Sequence, residues 1–150
     1  MFGINTATRL FNQKPNLTKY IPDQNLKGVV LKYVKNNDTI QKVATRQDGV
    51  EVVGTFKNGK AVCTDIDSAK GNIHHNYAPD NTNLPEAFQA KKTITITTVD
   101  GDKLVRSIKN DGSIQDFLIT DRAPARIGKF DAYFKELYQK ILKGDRLIDD

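Results

Sequence analysis

The residues of this chain best suited to chemistry are its only two histidines, His74 and His75, which are followed directly by Asn76 and Tyr77. An imidazole titrates near neutral pH, so it can act as a general acid or base or bind a metal ion. We therefore take these four residues as the candidate binding site. They complete no catalytic motif, so the sequence predicts no catalytic residue.

A metal site would require His74 or His75 together with a carboxylate such as Asp65, Asp67 or Asp80. Adjacent side chains in an extended segment point to opposite sides, and no third ligand has a diagnostic spacing. The segment that holds Asp65 and Asp67 also lacks the glycine and the glutamate of an EF-hand loop. The prediction is no metal site and no cofactor.

Cys63 is the only cysteine, so it forms no intramolecular disulfide. Acyl transfer by its thiol would require a histidine nearby in space and an oxyanion hole, for which the sequence has no signature. We expect a small, half-buried side chain in a strand. A metal-assisted hydrolase or nuclease centred on His74 or His75 stays an alternative, although the histidine spacing does not match a ββα-metal motif.

The elements that position these residues are predicted to be β-hairpins, because Asn58-Gly59 and Asn110-Asp111-Gly112 each separate two alternating segments. The phrase from Gly54 to Lys60 resembles one unit of the short hairpin repeats of MORN-like proteins, which implies a hairpin at this point. A single unit does not define a repeat array.

The spacing predicts one α+β domain over residues 1–150, built on an antiparallel meander of about seven strands. A short N-terminal helix and lead-in (1–26) precede a first hairpin block (28–66), a long loop (67–91) and a second hairpin block (92–120). An amphipathic helix (124–143), with apolar residues every three or four positions, is predicted to cover one face of the sheet. The meander can also curl toward a barrel, as in lipocalins or helix-grip proteins, whose strand and helix order it resembles.

Composition and charge narrow the function classes. The chain has 150 residues, 38% of them hydrophobic, and its net charge of +5 is spread along the sequence. Without a basic cluster, nucleic-acid binding is not expected. The N-terminal segment does not resemble a secretory signal, and no stretch reaches the ~18 apolar residues of a membrane span, so we expect a soluble, cytoplasmic protein.

These observations favour a noncatalytic binding or protein-interaction domain that uses the sheet face or the 67–91 loop. The partner would be another protein, or a second copy joined through the sheet edges. The alternatives are a carrier of a small apolar ligand in a curled-sheet cavity, and the hydrolase described above.

Overall fold

The computed structural model describes residues 29–144, which form nine antiparallel strands and one α-helix. The strands are β1 (Val30–Asn36), β2 (Thr39–Thr45), β3 (Glu51–Lys57), β4 (Lys60–Ser68), β5 (Gly71–Asn76), β6 (Lys92–Thr98), β7 (Lys103–Ile108), β8 (Ile114–Thr120) and β9 (Ala123–Gly128). A 3-10 turn, Glu86–Phe88, lies between β5 and β6, and the helix α1 is Asp131–Lys143. Each strand pairs with the next one along the chain. The predicted α+β meander is therefore confirmed in its broad form.

The turns follow from the residues that can adopt a positive φ. Asn58 and Gly59 have φ values of 51° and 80°, as the predicted type I′ hairpin requires. Three other turns are three-residue loops that end in an Asp-Gly pair. In each of them the glycine has a positive φ, and its N–H donates to the carbonyl three residues before it. These glycines are Gly49, Gly101 and Gly112. Short turns of this kind place consecutive strands side by side, so each pairs with the next in antiparallel orientation.

One face of the sheet holds the core. Successive strand residues point to opposite faces, and α1 packs on the face that carries Ile66 of β4, Ile73 of β5 and Ile96 of β6, which we call the covered face. A continuous cross-strand row on this face is 0–1% exposed: Ala44, Val52, Ile66, Ile73, Ile96 and Leu104. Phe134 and Ile141 of α1 pack on this row. Burial of each of the larger apolar side chains among these stabilises the fold by ~1.5–3 kcal/mol.

A buried arginine holds the N-terminal end of α1. Arg106 donates two hydrogen bonds, of 2.9 and 3.0 Å, to the carboxylate of Asp116, and it also pairs with Asp131 at 3.2 Å. The backbone N–H of Phe130 donates to the same Asp116 carboxylate at 2.8 Å. The guanidinium carbon lies 3.9 Å from the centroid of the Phe134 ring. This network fixes where the helix begins on the sheet.

A second buried arginine holds the other end of α1. Arg46 is 2% exposed, and its guanidinium donates to the carbonyl oxygen of Leu142 at 2.6 Å and to that of Lys143 at 3.5 Å. Asp48 accepts two further hydrogen bonds from the same group. The last carbonyls of a helix have no partner within it and carry partial negative charge, so a buried cation is favourable there.

The prediction of a continuous 67–91 loop was wrong over its first part. Residues Gly71–Asn76 form β5, and the connecting segment begins only at Tyr77. The turn between β4 and β5, Ala69-Lys70, contains neither Asn-Gly nor Asp-Gly, so it gave no hairpin signal. In β5 the buried positions are filled by Ile73 and by a histidine, which hid the alternation of apolar residues.

The C-terminal prediction was wrong in its first residues, and the strand count of about seven was too low. Residues Ala123–Gly128 form the ninth strand, and α1 begins at Asp131 rather than at 124. β9 is an exposed edge strand, where Pro124 is tolerated because it needs no ladder hydrogen bond. Within residues 29–144, β1 and β9 do not pair, so this sheet is open rather than closed into a barrel. The predicted N-terminal helix lies outside the described residues.

No helix within residues 29–144 has the length and apolar character needed to cross a membrane.

Candidate functional site

The sheet separates the two histidines. His74 and His75 are consecutive in β5, so their side chains lie on opposite faces. His75 points to the covered face under α1. His74 points to the other face, which carries Asp65 of β4 and Thr95 of β6 beside it and which we call the open face. The residues predicted as one binding site are therefore divided between the two faces of the sheet.

On the covered face, His75 is part of a buried polar cluster. It is 6% exposed, and its Nε2 atom lies 2.9 Å from the Tyr138 hydroxyl of α1. Tyr77 lies on the same side, with its ring stacked against His75 at 6.3 Å between centroids and its hydroxyl 2.9 Å from that of Thr64. Buried polar groups need such partners. His75 thus links the sheet to the helix through Tyr138, and Tyr77 supports His75 from within the sheet.

Asn76 ends β5 and shapes the chain that follows it. Its side-chain oxygen accepts a hydrogen bond of 3.0 Å from the backbone N–H of Ala78, which is an Asx turn. Further along, the Asn81 side chain makes two hydrogen bonds to the backbone of Ala90, of 2.7 and 3.1 Å, and so closes the 77–91 segment on itself. Phe88 of this segment packs on Phe117 of β8, with 6.3 Å between ring centroids. The segment thus lies against the open face at the β8 end.

On the open face, His74 meets two of the residues considered as its partners. Its Nδ1 atom is 2.6 Å from Oδ1 of Asp65, which is its direct cross-strand neighbour. The Sγ atom of Cys63, two residues before Asp65 on the same strand and face, is 3.9 Å from Oδ2 of that carboxylate. One donor atom from each of the three residues lies within 4.8 Å of the other two. We call these three residues the Cys-Asp-His cluster; Asp67 and Asp80 are not part of it.

The electrostatics of the Cys-Asp-His cluster disfavour a nucleophilic thiol. The hydrogen bond to Asp65 raises the pKa of His74, because the carboxylate stabilises the imidazolium form. Burial raises the pKa of the Cys63 thiol; Asp65 adds to that rise and a hydrogen bond with Thr55 opposes it. Reactive cysteines have lowered pKa values. In a nucleophilic triad the histidine also lies between the nucleophile and the acid, whereas here Asp65 contacts both other residues.

A shallow groove extends from the Cys-Asp-His cluster toward β1. It has a volume of about 550 Å³ and crosses the open face from β1 to β4. Its lining residues are Val30, Lys32, Gln41, Val43, Thr45, Glu51, Val53, Asp65 and Asp67. Within residues 29–144, three carboxylates and one lysine line this groove, although the whole chain is positively charged. We call this feature the acidic groove.

From the sequence, Asp65 and Asp67 were interpreted only as possible metal ligands. The other residues of the acidic groove were not predicted. Alternation alone would have placed Gln41, Val43 and Thr45 on one face of their strand. It would not have shown which face α1 covers, because that depends on where the helix packs. The strand order β1 to β4 then brings the lining residues together.

Comparisons with known proteins give no relative from which a function could be transferred: no protein-family model, no curated protein and no solved structure matches the chain. The function must therefore be argued from the two faces of the sheet.

Proposed function

We propose that this chain is a noncatalytic protein-binding domain whose partner lies in the acidic groove of the open face. The observation that carries this proposal is the contrast between the two faces. Ile66, Ile73 and Ile96 fill the space between sheet and helix, whereas the groove on the opposite face is lined mainly by polar side chains. A carrier of an apolar ligand would need an apolar cavity of ~300 Å³ or more, and the filled layer under α1 does not supply it there.

The charge of the acidic groove defines the chemistry of the partner. Among the residues that the structure describes, Glu51, Asp65 and Asp67 belong to adjacent strands and line the groove together with one cation, Lys32. An extended peptide segment with basic side chains would complement these carboxylates and would pack its aliphatic stems on Val43 and Val53. The structure favours this partner over an acidic or wholly apolar one.

The hydrolase alternative has less support from the geometry. His74 does lie within hydrogen-bond distance of Asp65. His75 and Tyr77 are on the other face, however, and already bond to Tyr138 and Thr64. Only one of the two histidines could act on a substrate bound to the open face, and burial raises the pKa of the adjacent Cys63 thiol, which disfavours the thiolate.

Fluorescence anisotropy tests the proposal, with a labelled peptide of alternating lysine and threonine as the probe and a glutamate-threonine peptide of equal length for comparison. The basic peptide should bind more tightly, with an affinity that falls as salt is added. The double substitution Glu51→Gln and Asp67→Asn should weaken binding by ~10-fold, which corresponds to ~1.4 kcal/mol.

The matched control carries Asp102→Asn and Asp111→Asn, which remove the same charge outside the groove at the turns before β7 and β8. It should bind the basic peptide like the wild type. Equal losses in the two double variants, or equal binding of the basic and acidic peptides, would contradict the proposal.

A further inference from the structure

The Cys-Asp-His cluster has the composition of a metal site. It offers one sulfur, one nitrogen and one oxygen donor, the three kinds of atom that bind Zn²⁺ in proteins. A borderline cation such as Zn²⁺ accepts this mixture, whereas Mg²⁺ and Ca²⁺ prefer sites made of oxygen alone. The ligand set therefore points to the zinc class of divalent cations.

The separations of the donor atoms fit one bound ion. Bonds of ~2.0–2.3 Å in a tetrahedral site place neighbouring ligand atoms ~3.3–3.8 Å apart. The Oδ1 atom of Asp65 stands 2.6 Å from Nδ1 of His74, and the Oδ2 atom of the same carboxylate stands 3.9 Å from Sγ of Cys63. One ligand atom from each of the three residues lies within 4.8 Å of the other two, so the cluster lies close to the spacing of a tetrahedral site.

The sheet already holds the three residues in place. Cys63 and Asp65 are two positions apart on β4, and His74 lies directly opposite Asp65 on β5. The direct cross-strand neighbours of Asp65 and His74 on their other sides are Val53 and Thr95, which carry no charge. Within residues 29–144, no lysine or arginine is paired directly with Cys63, Asp65 or His74. The side chains of His74 and Asp65 are 37% and 32% exposed, so an ion can reach them from solvent.

We propose that Cys63, Asp65 and His74 bind one divalent cation of the zinc class, with water completing its coordination. Three protein ligands leave a fourth position open, as in zinc sites that accept an external ligand. On binding, Cys63 gives up its thiol proton to solvent. The Nδ1 atom of His74 also loses its proton, to solvent from the imidazolium or by a shift to Nε2 in the neutral ring, and the hydrogen bond between His74 and Asp65 is replaced by bonds to the metal. The proposal departs from the sequence-based prediction of no metal, and it does not depend on peptide binding in the acidic groove.

Cobalt titration of the full chain, without an affinity tag and with a non-thiol reductant present, tests the site. Co²⁺ should bind in a 1:1 ratio and produce a near-ultraviolet thiolate-to-cobalt charge-transfer band. Zn²⁺ should displace it. The band should disappear in Cys63→Ser, and competition with a chromophoric chelator should show that Asp65→Asn and His74→Asn each lower the Zn²⁺ affinity by ~10-fold or more.

Asp67→Asn is the matched control, because Asp67 lies on the same strand and face as Asp65 but outside the cluster. It should keep the cobalt band and bind Zn²⁺ within about twofold of the wild type, although it contributes to the acidic groove. Failure of the metal site and failure of peptide binding are thus separate results. The absence of a charge-transfer band in the wild type, or an equal loss of affinity in Asp67→Asn, would overturn the proposal.

X-ray absorption of the zinc-loaded wild type provides a test that needs no variant. It should show one sulfur at ~2.3 Å with nitrogen and oxygen ligands at ~2.0–2.2 Å. A first shell of nitrogen and oxygen alone would exclude Cys63 and overturn the site.

Discussion

The two faces of this sheet use the same strands but treat charged and polar residues in opposite ways. On the covered face, Arg46 and Arg106 are almost fully buried and their hydrogen bonds hold the two ends of α1. On the open face, Asp65 and His74 form a pair that is about one-third exposed. The buried groups have fixed structural partners, whereas the half-exposed groups can exchange theirs for a ligand. This difference is why we assign the stability of the fold to the covered face and propose the open face for binding.

Removing one acidic residue from each face should give the largest contrast. Asp116→Ala leaves the Arg106 guanidinium buried without its main partner and removes the acceptor for the Phe130 N–H. We expect a loss of ~3–5 kcal/mol in the free energy of unfolding, measured by urea denaturation. Asp65→Ala breaks a pair that is partly exposed and should cost less than ~1 kcal/mol. Similar losses would show that the two faces do not differ in this way.

A buried lysine on the covered face should make the free energy of unfolding depend on pH. Lys42 is 1% exposed, with its Nζ atom 5.2 Å from the centroid of the Phe56 ring, and burial lowers its pKa to about 8. The unfolded chain therefore binds more protons than the folded chain between pH 8 and the ordinary value of 10.5. Stability should rise with pH across this window, by at most ~3 kcal/mol in total.

Lys42→Met is the control for this rise. The cross-strand neighbour Tyr33 has a pKa raised by burial, which lowers stability only above about pH 10, so the comparison is made below that value. Denaturant unfolding curves from pH 7 to pH 10 give the free energy of unfolding of both proteins. That of the wild type should rise relative to that of the variant, and the relative rise is the contribution of Lys42. A rise of the same size in Lys42→Met would assign it to other groups.

The adjacent histidines allow the two faces to be compared by substitutions at neighbouring positions of one strand. His75→Ala removes a side chain that is 6% exposed and bonded to Tyr138, so it should lower the free energy of unfolding by ~1–3 kcal/mol. His74→Ala, on the open face, should cost ~0.5 kcal/mol or less. Thermal or urea unfolding of the two variants measures the difference. A larger loss from His74→Ala would contradict the assignment of stability to the covered face.

The sequence could predict the meander because its turns depend on local chemistry. Asn58, Gly59 and the glycines of the Asp-Gly pairs tolerate positive φ, so they mark hairpins without knowledge of the fold. β5 and β9 were missed because their evidence is not local. A histidine fills a buried position of β5, and β9 is an edge strand with five of its six residues exposed, so neither shows the usual alternation.

The sequence allowed residues of the Cys-Asp-His cluster to be named as candidates, but it did not predict how they are arranged. The alternation of side chains correctly implied that His74 and His75 point apart. Which of them would remain accessible depends on where α1 packs. Its docking is fixed by Arg46 and Arg106, whose partners on the helix, Leu142 and Asp131, lie far along the chain. The meeting of His74 with Asp65 likewise depends on the register between β4 and β5, which the unrecognised turn at Ala69-Lys70 sets.

The smallest expected effect is the pH dependence of the stability that the His74–Asp65 pair contributes. Its sign distinguishes a simple ion pair from a pair that binds a metal. The hydrogen bond to Asp65 raises the pKa of His74 above its ordinary value of 6.5. Its contribution to stability should be fully present below pH 6.5 and be lost as the pH rises through the folded-state pKa. Because the pair is partly exposed, the contribution should stay below ~1 kcal/mol.

Unfolding curves of wild type, His74→Asn, Asp65→Asn and the double variant form the cycle that isolates this term. In the presence of a chelator, the coupling between the two residues should fall as the pH rises past neutrality. Coupling that does not change with pH would mean that the imidazolium form is not what Asp65 stabilises. With Zn²⁺ added, the metal binds the neutral imidazole, so the wild type should instead gain stability as the pH rises. The same two residues would then show opposite pH dependence with and without the ion, which a purely structural pair on the covered face would not do.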